Sequence, residues 1–218
     1  MTSHLIKTLN QGLQTLKLNL SESTQTQILN YLALLAKWNQ VYNLTGVRQI
    51  EEMIPKHVLD CLAILPYVYG YRILDVGTGA GLPGLLLAIV RPNWQCVLVD
   101  KSAKKICFIQ QAIIELEIKN TFAIQSRIET FNPPQEITGG KFDTIISRAY
   151  TNMHTFYQQT VGFSAIDGCF LAMKGIYPKS EIAEMANLLV SIESFPLQIP
   201  QLSAQRHLIM IRPLKSEK

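Results

Sequence analysis

The stretch ILDVGTGAGLPG, residues 73–84, places four glycines within eight positions between two apolar runs, with Asp75 just ahead of them. Glycines so spaced let the chain turn sharply out of a strand and let backbone approach a ligand with no Cβ in the way. Two parses of the turn name two ligands. GxGxxG over Gly79, Gly81 and Gly84, with Asp100 some 20 residues on, is the pattern that seats a dinucleotide pyrophosphate at a helix N-terminus. GxGxG over Gly77, Gly79 and Gly81 begins directly after the strand that carries Asp75.

Charge separates the two. A pyrophosphate over the turn would be repelled by a carboxylate at Asp75, whereas the ammonium and sulfonium of S-adenosylmethionine would be attracted to it. Asp100 follows the apolar run VLV at the expected end of the next strand, where an acid accepts from both ribose hydroxyls of an adenosine under either parse. Arg148 follows TIIS, again at the carboxyl end of a strand, the edge where open α/β sheets bind ligands. Lys101, Lys104, Lys105, Arg127, Arg148, Lys174 and Arg206 all lie in segments that open toward that edge, and together they would suit a polyanion. A net charge of +4 permits a nucleic-acid partner without requiring one.

The elements that must position these residues follow from periodicity. Ile28, Leu29, Leu32, Leu35, Ala36 and Trp38 fall on one helical stripe, with Ser21 as its N-cap. A second helical stretch, 49–65, contains Pro55, which must kink or split it. From Tyr71 onward short apolar runs alternate with helical ones, which predicts parallel strands near 72–76, 95–99, 121–125, 142–147 and 168–173 joined by crossover helices, one of them 102–118. The segments 190–199 and 207–212 read as an antiparallel hairpin at the sheet edge, and 132–141 as a loop. The reading divides the chain into a helical N-terminal extension, 1–70, packed on an α/β core, 71–218.

An apolar fraction of 48% against 17% charged residues is that of a folding chain. No signal peptide is evident near Met1, and LLLAIV, 85–90, is far shorter than a membrane span. A cytoplasmic protein with no membrane partner and no metal is therefore expected. Cys61, Cys96, Cys107 and Cys169 form no CxxC or metal-spaced set and read as small buried hydrophobes. His57 and Asp60, three apart on a helix, read as a capping or core hydrogen-bonding pair, and Trp38, Tyr42 and Asn43 as packing and turn residues. Two other functions remain open on the residues alone: an oxidoreductase that uses the GxGxxG parse, and an RNA-binding module that retains the turn without turnover.

A further set of landmarks runs in order along the chain: KWNQVYNLT at 37–45, KHVLDC at 56–61, the glycine turn, VRP at 90–92, QSRIE at 125–129, ISRAY at 146–150, MKG at 173–175 and RHLIMI at 206–211. With these, the sequence resembles the RsmG (GidB) family of bacterial 16S ribosomal RNA guanine-N7 methyltransferases over residues 28–213. The resemblance implies a Rossmann-like class I methyltransferase with a seven-stranded sheet and a helical N-terminal extension. It implies S-adenosylmethionine held by Gly77, Gly79, Leu82 and Asp100, with Ile128 and Glu129 near the adenine and Arg148 on the cofactor and acceptor side of the pocket. Its substrate would be 16S rRNA or the small ribosomal subunit, with no DNA partner and a monomeric enzyme. Lys56 and Cys61 depart from the family pattern, which more often has Arg and Ser there. Guanine N7 already carries a lone pair, so transfer to it requires no general base. A bidentate arginine grip on guanine O6 and N7 would block the reacting atom, so Arg148 is expected at O6 alone, at a phosphate or at the cofactor carboxylate.

Overall fold

A computed structural model describes residues 3–214. Helices α1 (Ser3–Thr15) and α2 (Glu22–Tyr42) come first. Ser21 caps α2 as its pattern predicts, its Oγ accepting from Thr24 N–H at 3.2 Å, and Asn43 ends the helix in the left-handed conformation at φ 49°. The stripe predicted for α2 is the face turned inward: Ile28, Leu29, Leu32 and Leu35 are buried and Trp38 packs against the same core.

Pro55 does split its helix. The segment runs as α3 (Ile50–Met53), a π-helical turn (Ile54–Leu59) and α4 (Asp60–Leu62). Proline has no N–H to give to the preceding turn, and the backbone widens where that bond is missing. Both His57 and Asp60 nevertheless point inward and are buried.

Seven strands follow: β1 (Arg72–Val76), β2 (Gln95–Asp100), β3 (Thr121–Gln125), β4 (Phe142–Arg148), β5 (Ser164–Lys174), β6 (Val190–Pro196) and β7 (His207–Pro213). Between them lie α5 (Gly84–Val90), α6 (Ala103–Glu115), α7 (Gln135–Thr138), α8 (Met153–Thr160) and α9 (Lys179–Glu184). The sheet order is β3-β2-β1-β4-β5-β7-β6, with β1 to β5 parallel and β7 antiparallel to both of its neighbours. The expected hairpin is thus present, with β7 inserted between β5 and β6. Two expectations need correction. The segment 132–141 contains one helical turn, α7, capped at Gly139, and β5 begins at Ser164, four residues before the predicted 168.

One face of the sheet is covered by α5, α6 and the N-terminal helices in a continuous apolar core, and the other by α8 and α9. Two contacts lock the N-terminal helices to the site. Tyr31, fully buried, donates its hydroxyl proton to Ala80 O of the glycine turn at 2.8 Å, and Trp38 packs edge-on to Phe108 of α6 at 5.7 Å. Cys61, Cys96 and Cys169 are buried as expected, but Cys107 is exposed. It lies between the buried Ile106 and Phe108, on the outward face of α6.

Candidate active site

Every parallel strand delivers its carboxyl end to the same edge of the sheet. At the end of β1 the chain turns through Gly77 and Gly79, both at positive φ, and α5 starts at Gly84. The sequence reading set Asp75 against a ligand; the structure places it beneath the turn instead. Its Oδ2 accepts from the Thr78 hydroxyl at 2.6 Å and from Gly84 N–H at 2.7 Å, so the carboxylate joins the turn to the start of α5. Gly84 is required by this closeness, since a Cβ there would lie 2.8 Å from Asp75 Oδ2. The other oxygen, Oδ1, is buried without a hydrogen-bond partner. Burial pushes the Asp75 carboxyl up to about 6, with the Thr78 and Gly84 hydrogen bonds pulling against it.

Two cavities open on either side of the turn. The smaller, about 250 Å³, is lined by Gly77, Asp100, Lys101, Arg127, Ile128, Glu129 and Tyr150 among others. Asp100 ends β2 and faces back to the turn: Gly79 N–H donates to its Oδ2 at 3.0 Å and Ser102 N–H to its Oδ1 at 2.9 Å. A carboxylate has about four acceptor positions, so Asp100 retains capacity for a hydroxyl after these bonds and the Lys105 contact at 3.5 Å. Glu129 is oriented by a relay in which Gln159 Nε2 donates to it at 2.8 Å and Tyr150 Oη donates to Gln159 Oε1 at 3.0 Å.

The larger cavity, about 610 Å³, shares Gly77, Lys105 and Ala149 with the smaller one. Gly79 and Leu82 line it, as do Arg148, Lys174 and Arg206. Arg148 is committed to a partner that sequence reasoning did not supply. Its Nη1 lies 3.3 Å from Asp60 Oδ2, while Arg206 Nε donates to Asp60 Oδ1 at 2.9 Å. Asp60, buried between two guanidinium groups, holds both at the cavity wall. Burial pushes its carboxyl above the ordinary range, opposed by the two arginines.

His57 and Asp60 do not bond to each other, but each is buried and hydrogen-bonded to other partners, as the core hydrogen-bonding reading expects. His57 Nδ1–H donates to Lys56 O at 2.9 Å, which leaves Nε2 to accept from the Thr45 hydroxyl at 2.8 Å. Burial, then the Arg148 charge, pushes the imidazole down to about 4, so it is neutral at physiological pH.

Of the residues singled out from sequence, Gly77, Gly79, Leu82, Asp100, Ile128, Glu129 and Arg148 line the two cavities, as do Lys101, Lys105, Arg127, Lys174 and Arg206. Asp75 and Lys104 do not. Lys104 donates to Tyr42 O at 2.9 Å, behind the site. Lys174 is paired with Glu181 at 2.7 Å and Arg206 with Asp60, so neither is simply a solvated charge. The residues missed are Thr45, Asp60 as an arginine anchor, Thr78 and Tyr150. Only Tyr150 carried a local signal, by its place two residues after Arg148. Among the described residues no group of His, Cys, Asp or Glu is placed to hold a metal ion, and no helix is long and apolar enough to cross a membrane.

The sheet order, the glycine turn after β1, the acid that ends β2 and the paired cavities define a Rossmann-like methyltransferase that uses S-adenosylmethionine. Solved structures share the fold: a SAM-dependent methyltransferase from Aquifex aeolicus aligns with a TM-score of 0.53 at 14% identity, covering 72% of this chain and 91% of that one. An rRNA methylase from Streptococcus thermophilus aligns with a TM-score of 0.50 at 15% identity, covering 78% and 99%. The family model described as rRNA small subunit methyltransferase G, GidB, matches residues 24–209. A relative from Nitrosococcus oceani named ribosomal RNA small subunit methyltransferase G is 43% identical over 208 residues, 95% of each chain. One of the same name from Methylobacillus flagellatus is 44% identical over 203 residues, 93% of this chain and 96% of its own. The chain belongs to the ribosomal RNA small subunit methyltransferase G family.

Proposed function

We propose that the protein transfers a methyl group from S-adenosylmethionine to N7 of a guanine in 16S rRNA of the small ribosomal subunit. The observation that carries this reading beyond the family is the absence of an available base in the larger cavity. Its wall has two side chains of a type that could accept a proton, His57 and Asp60, among the described residues. The His57 Nε2 lone pair is occupied by Thr45, and Asp60 is held as an ion-paired carboxylate between the Arg148 and Arg206 guanidinium groups. An amine or hydroxyl acceptor would have to lose a proton to some group; guanine N7 would not.

The residues present fit the cofactor. The smaller cavity offers Asp100 for the ribose hydroxyls and Ile128 and Glu129 for the adenine, while Gly77 at positive φ leads into the larger cavity, where Gly79 and Leu82 would hold the amino-acid portion. Asp75, buried beneath the turn, contributes a negative charge on the protein side of that turn. When bound, the cofactor supplies an electrophilic methyl carbon.

The chain's own work is alignment. Orientation of two reactants supplies up to roughly 7–11 kcal/mol of a barrier. Arg148, fixed through Asp60, would hold the acceptor base by O6 or its phosphate, or the cofactor carboxylate, and leave N7 unblocked. Arg127 and Lys101, exposed and without carboxylate partners among the described residues, are the cations suited to RNA phosphates. The experiment is transfer of labelled methyl to small-subunit RNA from a strain lacking the modification, with the labelled atom identified. Label on an exocyclic amine or a ribose hydroxyl would defeat the reading.

A further inference from the structure

We propose that Ile176 and Tyr177 form an apolar platform at the mouth of the larger cavity that grips the RNA strand flanking the acceptor guanine. The inference rests on the function proposed above and names how that site recognises its substrate. The two residues lie between β5 and α9, at the carboxyl edge of the sheet. Just before them, Lys174 is fastened by Thr151 O at 3.2 Å and the Glu181 carboxylate at 2.7 Å, and Lys174 and Gly175 line the cavity. Just after them, Pro178 is buried. The loop is held at both ends and displays its middle.

What it displays is out of place in water. Ile176 is 78% exposed and Tyr177 47% exposed. Consecutive exposed large apolar side chains beside a functional cavity mark a contact surface rather than a scattered surface residue. The Tyr177 ring meets the His207 ring edge-on, centroids 5.7 Å apart, and His207 directly follows Arg206 of the cavity wall. His207 in turn is bonded through Nδ1 to Gly175 O at 3.3 Å. The platform is thus continuous with the site through two separate chain segments. Its nearby carboxylate, Glu181, is neutralised by Lys174, and Lys179 is exposed.

The acceptor chemistry explains why such a surface is needed. A guanine that enters a cavity of about 610 Å³ must leave its stack, and the base beside it then has an uncovered face. Aromatic side chains cover such faces in single-stranded RNA recognition, and aliphatic side chains wedge into opened steps. Tyr177 suits the first role and Ile176 the second.

The test uses steady-state methyl transfer to protein-free small-subunit RNA and to intact small subunits, with the Tyr177→Ala, Tyr177→Phe and Ile176→Ser variants. Tyr177→Ala should raise the KM for RNA about tenfold on both substrates, the usual range for loss of one stacked base. Tyr177→Phe should behave as wild type, and cofactor affinity and Tm should stay unchanged in all three. A Tyr177→Trp variant supplies a second readout, since stacking with single-stranded RNA should quench its indole emission. Unchanged KM in an Ile176→Ser/Tyr177→Ala double variant, or emission that RNA leaves unaltered, overturns the proposal. A rise in KM confined to intact subunits assigns the loop to a ribosomal protein and also overturns it. Wild-type protein that methylates no small-subunit RNA counts against the parent function alone, and the emission titration then decides this one.

Discussion

Replacing Asp60 by Asn keeps the shape of the side chain and removes the one negative charge between two guanidinium groups. Asp60 is 4% exposed, and its arginine partners retain 22% and 26% side-chain exposure. Breaking a fully buried ion pair on one side costs about 3–5 kcal/mol; water that reaches both arginines brings this to about 2–3 kcal/mol. For a chain of 218 residues that corresponds to a fall in Tm of about 4–12 °C. Arg148 also loses its fixed position, and misplacement of an aligning group costs roughly 10- to 100-fold in turnover. Cofactor affinity reads which group Arg148 holds: a change within about twofold, under ~0.5 kcal/mol, places Arg148 on the acceptor, because Asp100 and the glycine turn do not touch Asp60. Thermal melts, single-turnover methyl transfer and cofactor titration read the three quantities separately. Wild-type turnover with a Tm change under about 2 °C would refute the reasoning. Loss of cofactor affinity in parallel with turnover would place Arg148, through Asp60, on the cofactor carboxylate.

Three further perturbations test the remaining parts of the site. Asp100→Ala removes the acceptor for Gly79 and Ser102 N–H groups; cofactor binding by calorimetry should weaken at least about tenfold, as expected for hydrogen bonds to a charged group, and an unchanged Kd would return Asp100 to a purely structural role. Gly77→Ala adds a Cβ at φ +68° that would lie 2.5 Å from Tyr150 Cδ2; the strain alone should cost about 1–3 kcal/mol in a denaturant melt, and a variant as stable as wild type would refute the turn geometry. His57, neutral in the fold with its imidazole pushed down from 6.5 to about 4, gives a stability contribution fully present above pH 6.5 and lost as pH falls through about 4. The shift corresponds to roughly 3 kcal/mol, and an NMR titration of the ring protons showing an ordinary midpoint near 6.5 would contradict it.

What could be read from sequence was what is local. Strands β1, β2 and β4 are runs of apolar residues bounded by polar ones, the glycine turn carries its own spacing, and Ser21 lies just before the stripe it caps. Asp60, Arg148 and Arg206 meet only because α4, β4 and the entry to β7 converge on one edge, and no spacing along the chain encodes that. His57 likewise meets Thr45 across the end of α2 rather than Asp60 one turn away. Reading Asp75 by its charge toward a ligand missed its bonds within the chain: beneath the strand-to-helix turn it accepts from Thr78 and Gly84. Cys107 was legible and misread: the period that buries Ile106 and Ile109 turns position 107 outward. The Lys174–Glu181 pair was not legible, because Glu181 reaches Lys174 only after the loop folds back.

The proposed alignment of guanine N7 without a general base is decided by the pH dependence of single-turnover methyl transfer with the product atom mapped. Label at N7 of a small-subunit guanine, with a rate flat from pH 7.5 to 9, where Asp75 is already ionised and no group in the cavity must lose a proton, is the result predicted. A rate that rises tenfold per pH unit toward a plateau, or label on any atom that must first shed a proton, would contradict it.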